Sequence, residues 1–135
     1  MKSLALLLSL ALPGLAHAAD IAPQLLTLAG TTPTYAAASG GGDTFTNDGR
    51  TYAHLKNASG SAITVTFDAV PSYSDNALGD LALADTAVVV PANAEKVVGF
   101  FPPARFNNTA TGKVAVTYSG VTSLTVAVVK VGRVY

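Results

Sequence analysis

Beyond residue 50, apolar and polar positions alternate along most of the chain. Ala53 and Leu55 share one face of a run in which Tyr52, His54 and Lys56 share the other. After "NASG", Ile63, Val65 and Phe67 alternate with Thr64, Thr66 and Asp68. A period of two across a short glycine-containing break predicts a β-hairpin, and β-branched residues suit its half-buried pleated surface. The same pattern predicts a second hairpin from "TAVVV" and "AEKVVGFF" around Pro91-Ala92-Asn93. A third pairs "KVAVTYS" with "TSLTVAVVKV" about Gly120. "PSYSDNALGD" and "PPARFNNTATG" lack alternation and read as loops, the second because two prolines remove two ladder donors.

Residues 20–42 are rich in Ala, Thr, Gly and Pro, with "QLLTL" as the one strand-like run. "SGGGD" (Ser39 to Asp43) reads as a flexible loop and "TNDG" (Thr46 to Gly49) as a tight turn. Outside the leader, no segment sustains apolar residues at i, i+3, i+4 and i+7. The expected fold is all-β: a two-sheet antiparallel β-sandwich, jelly-roll or immunoglobulin-like, of seven or eight short strands. It forms a single domain over residues 19–135. Ile63, Val65, Phe67, Val114, Val116, Leu124 and Val126 are its expected core.

Residues 1–18 follow a different pattern. Lys2 supplies a positive end, Leu4 to Leu12 an apolar centre and Ala16-His17-Ala18 a small-x-small site. Together they predict a secretory signal cleaved after Ala18, leaving Ala19 first. The alternative is an apolar N-terminal arm that stays attached and packs on a neighbour. Pro13 and Gly14 break the run before it reaches the roughly 18 apolar residues of a membrane span.

Composition narrows the chemistry. With 50% hydrophobic and 12% charged residues in 135, the chain has ample material for one core. Absence of Cys excludes disulfides, thiolate catalysis and Cys-based zinc sites. The eight basic residues are scattered and balanced by eight acidic ones, so no stripe exists to neutralise phosphates of a nucleic acid.

His54 is the one histidine beyond the leader. It lies on a polar strand face with no G-x-S-x-G elbow in the chain, so a solvated or cross-strand-paired histidine is expected. Asp43, Asn47 and Asp48 cluster oxygen ligands, but their spacing fails the Ca²⁺-loop pattern and fits turn chemistry. "GGGDTF" lacks the lysine and helix of a phosphate cradle. Asn57 ("NAS") and Asn107 ("NNT") match the short glycosylation pattern. No Trp is present to form a sugar-stacking platform. The residues therefore predict no catalytic, cofactor-binding or metal-binding site, and a protein that is not an enzyme.

Two blocks carry a family resemblance. "GGDTFTNDGRTYAHLKNASGSAITVTF" (Gly41 to Phe67) and "GFFPPARFNNTATGKVAVTYSGVTSLTVAVV" (Gly99 to Val129) resemble small head-associated structural proteins of tailed bacteriophages, of the capsid decoration type. The resemblance implies a compact β domain that binds an assembly through its surface, a capsid shell or further copies of itself, and carries out no reaction. It places the protein in the virion, whereas the signal-like leader places it outside the cell as an exported surface or matrix protein.

The final strand suggests where such a contact lies. Leu124, Val126 and Val128 occupy one face, yet the other holds Thr125, Ala127, Val129 and Val131, too apolar for water. A two-sheet sandwich has no third layer to cover that face. Val129 and Val131, with the loop Phe100, Phe101, Pro102 and Pro103, are thus the expected assembly contact of a homo-oligomer or shell.

Overall fold

The computed structural model describes residues 17–70, 73–75, 79–81 and 83–132. In chain order the elements are β1 (Ala19–Asp20), β2 (Gln24–Leu26), β3 (Ala36–Ala37), β4 (Asp43–Thr46), β5 (Thr51–Asn57) and β6 (Ile63–Phe67). Then come β7 (Tyr73–Asp75), β8 (Gly79–Leu81), β9 (Thr86–Val90), β10 (Ala94–Gly99), α1 (Pro103–Phe106), β11 (Lys113–Tyr118) and β12 (Leu124–Val131). Two sheets pack face to face as a β-sandwich. The first has the order β1-β4-β11-β6-β9, the second β10-β5-β12-β2 with β3 also on β12, and β7 pairs with β8 in a separate ribbon. The sheets are mixed rather than purely antiparallel, because β1 joins β4 and β2 joins β12 in parallel. The strand count exceeds the expected seven or eight through the short N-terminal pieces and this ribbon.

None of the three expected hairpins forms. β5 pairs with β10 and β12, whereas β6 pairs with β11 and β9. β9 and β10 likewise lie in opposite sheets, as do β11 and β12. The turns at 58–62, 91–93 and 119–123 are therefore arches that carry the chain across the core. Alternation fixes which side chains face inward, and a strand that crosses to the facing sheet satisfies it as well as one that pairs alongside.

Asn57 holds the arches together. It is 2% exposed, and its Nδ2 donates to Ser61 O (2.8 Å), Val90 O (3.1 Å) and Pro91 O (3.1 Å). Its Oδ1 accepts from the backbone N–H and the hydroxyl of Ser59. Ala58 N–H donates to Ser123 O, and Asn93 N–H to Ser59 O. One amide thus serves two arches, and neighbouring backbone bonds add the third.

All seven expected core residues are buried. The opposite end of the sandwich is aromatic: Phe101 meets Phe45 and Phe106 edge-on at 5.4 and 5.6 Å and tilts against Phe67 at 4.8 Å. The segment expected as a loop contains the one-turn α1. Proline fits its first turn, where an N–H has no intrahelical partner, and the turn buries Phe106.

Residues 17–38 form an arm along one side. β1 lies on β4 at the edge of the first sheet; β2 and β3 lie on β12 at the edge of the second. Gln24, opposite Val129, uses both ends of its amide to hold the backbone of Thr34. Tyr35 next reaches His54, which lies opposite Ala127. The chain thereby crosses the outer face of β12 and acts as the partial third layer not expected from the sequence. Ala127 and Val129 beneath it are 0% and 1% exposed.

Candidate functional site

The expected contact residues do not form one surface. Phe101 sits in the aromatic core at 2% exposure, and Val129 lies beneath the arm. Neither is open to a partner, which corrects the reading of both as surface residues. The correction has a plain cause: "FFPP" turns Phe100 outward and Phe101 inward, and β12 is covered from within the chain. Phe100 is 59% exposed, Pro102 and Pro103 are exposed, and Val131 is half-buried.

What the second sheet does expose are two apolar groups on opposite edges. On the arm, Leu25 and Leu26 at the end of β2 and Leu28 in the turn that follows are exposed. That turn is braced by Thr27 Oγ1 donating to Gly30 O and Thr31 Oγ1 donating to Leu25 O. On the β10 side, Val97 and Phe100 are exposed, and Phe100 stands edge-on to Tyr52 at 6.4 Å. Gly99 makes this possible, because a Cβ there would lie 2.7 Å from the Cβ of Tyr52. Lys96 lies opposite Leu55 in register, on the core-facing side of β10, yet is exposed at the sheet margin. An inward-pointing charge of this kind blunts edge-to-edge pairing.

Between the two groups runs a polar strip. The Tyr35 hydroxyl lies 2.6 Å from His54 Nδ1, and His54 Nε2 lies 3.3 Å from Glu95 Oε2. The arrangement fits an imidazole protonated at Nε2, with Tyr35 donating to Nδ1. Lys56 Nζ sits 4.3 Å above the Tyr35 ring and 3.7 Å from Glu95 Oε2. His54 is thus paired across the strand to Glu95, as one of the two sequence readings has it. Tyr35 was not legible, since "TYAAAS" shows no alternation. The strip clamps the arm to the sheet, and the tyrosine hydroxyl is engaged in that clamp.

Asp43, Asn47 and Asp48 part company. Asp43 faces the core at 1% exposure, where Tyr118 donates to Oδ2 at 2.7 Å. Burial, reinforced by that carboxylate, pushes the Tyr118 hydroxyl well above its usual range. Asn47 donates to Phe101 O and Asn107 Oδ1, and Asn107 Nδ2 donates back to Asn47 O. Asp48 pairs with Lys130 and Arg50, which hold its carboxyl down to about 2. Lys113 similarly lowers Asp20, while burial and the nearby Asp85 raise Asp68. The side-chain amides of Asn57 and Asn107 are both spent on internal bonds, so neither is free for a glycan in the folded chain.

A comparison with protein-family models gave no match, and none was found among curated proteins or solved structures. Among the described residues no helix is long and apolar enough to cross a membrane.

Proposed function

We propose that this is a non-catalytic structural protein that binds or decorates a larger assembly, of the phage capsid decoration type. The observation that carries the reading is the pair of exposed apolar groups: Leu25, Leu26 and Leu28 on the arm, and Val97 with Phe100 beside Tyr52. Large apolar side chains rimmed by polar ones mark contact surfaces on small domains. The polar clusters, by contrast, are spent on internal bonds. A second reading, an exported surface or matrix protein, draws on a different observation. β1 begins at Ala19, the residue that signal cleavage would leave first.

Intact-mass measurement on purified virions and on the extracellular fraction tests both. A chain beginning at Met1 within particles supports decoration. One beginning at Ala19 outside the cell supports the exported protein. Recovery from the cytosol alone, attached to nothing, would overturn both.

A further inference from the structure

We propose that residues 19–38 are an exchangeable arm, which docks on the β4 and β12 edges of a second copy as it docks on its own. The inference deepens the assembly reading, rests on it, and names the partner as another copy of this chain. The occupant is defined by the molecule, since the arm already fits these edges within one chain.

Four features make the arm transferable. Its grip is chiefly backbone pairing at two sheet edges, in pieces of two, three and two residues, with the Tyr35–His54 and Asp20–Lys113 contacts beside it. Such pairing follows the edge and not the chain that supplies the strand. Most of its side chains are solvent-exposed, with Ile21 and Ala38 as the buried ones. The join to the sandwich, Ser39 to Gly42, holds three consecutive glycines. There the chain turns back tightly, with Gly42 N–H bonded to Ser39 O. Gly42 has φ +84°, and a Cβ at that position would lie 2.7 Å from Val116 O. Glycine takes both this turned geometry and an extended one at little cost, so the same hinge opens to reach a neighbour.

The vacated groove explains why a second arm takes the place of the first. An absent arm would leave the edges of β4 and β12 unpaired and Ala127 and Val129 open to water. Exchange preserves every one of those contacts, and only the hinge changes. The exposed leucines travel with the arm and arrive at the neighbour's surface.

The test uses a disulfide between positions 37 and 125. Ala37 and Thr125 are partners in the antiparallel pairing of β3 with β12, a separation a disulfide spans. The chain has no cysteine to interfere. Full-length Ala37→Cys/Thr125→Cys protein is prepared in ¹⁴N and ¹⁵N forms. The two are mixed, unfolded together, refolded at high concentration and oxidised. After digestion, mass spectrometry reads whether the linked peptides come from one isotope or two, and sedimentation reads the assembly state. Linked peptides of mixed isotope, approaching the random-pairing fraction, are expected. Linkage within one isotope in an oligomeric sample overturns arm exchange and leaves the assembly reading standing. Linkage within one isotope in a monomeric sample also overturns arm exchange, and the recovery of the chain from virions then tests the assembly reading separately. Should that pair fail to fold or to oxidise, Asp20→Cys/Thr44→Cys reads the same outcomes at the β1–β4 pairing.

Discussion

On the outer face of the first sheet stand Thr44, Thr46, Thr64, Thr66 and Thr117; on that of the second, β12 presents Ala127 and Val129. Threonine suits a strand through its branched carbon and meets water through its hydroxyl, so the first face is a finished boundary. The second is unfinished until the arm crosses it. Both sheets use the same inward alternation, and the difference lies wholly in what each shows outward. An apolar outward face is thus a demand for cover, and here the chain supplies the cover itself. That leaves apolar residues of the second sheet sealed beneath the arm, others carried on it, and Val97 with Phe100 exposed at the far edge.

The largest expected effect treats both sheets alike and calibrates the rest. Phe67→Ala removes a fully buried ring that tilts against Phe101, and should cost about 3–5 kcal/mol in denaturant unfolding. A midpoint that barely moves would place the core elsewhere. The next separates the two faces. Val89→Lys, at a half-exposed outward position on the first sheet, should stay within about 0.5 kcal/mol. Val129→Lys should cost about 2–4 kcal/mol, because its ammonium group must find water beneath the arm. Lifting the arm gives it that water, so protease sensitivity of residues 17–38 should rise more than global stability falls. Equal behaviour of the two variants would erase the distinction between the faces. A smaller effect probes the clamp alone. His54→Ala and Tyr35→Phe each remove the Tyr35–His54 bond and should loosen the arm by about 1 kcal/mol, read by hydrogen exchange of β2 and β3. Unchanged protection there would mean that edge pairing alone holds the arm.

Much of this was legible in the residues. The inward faces of β5, β6 and β11 follow from alternation, because only one register buries Leu55, Phe67 and Val116 together. Partner choice was not legible. The turns after Asn57, Val90 and Tyr118 look like hairpin breaks, but the bonds that tie these arches to one another join residues 33 to 65 positions apart. The apolar outward face of β12 was correctly read as needing cover. Its cover could not be named, because residues 20–42 carry no periodic signal, and short edge strands such as β2 and β3 need none. Phe100 and Phe101 show the same limit, since adjacent identical residues take opposite fates only once α1 and Gly99 set the path of the loop.

The smallest expected effect compares the charges at the two edges. Asp20 on the arm meets Lys113 of the first sheet at 2.8 Å, and Asp48 meets Lys130 of the second at 2.8 Å. Both carboxyls are lowered in the folded chain. Asp48 falls from 3.8 to about 2, chiefly through Lys130 and then Arg50. A carboxyl depressed on folding contributes stability that is complete above its unfolded value and is lost as pH falls through its folded one. The contribution of Asp48 is therefore present above about pH 4 and gone near pH 2. Its side chain is a third exposed, so solvent screening holds the effect under about 1 kcal/mol. Asp48→Asn should lower stability by that small amount at neutral pH, and the difference from wild type should close as pH drops toward 2. Asp20→Asn should do less, since its side chain is 55% exposed. A gap for Asp48→Asn that widens below pH 4 would overturn the pairing of Asp48 with Lys130 and Arg50 as the source of its lowered carboxyl.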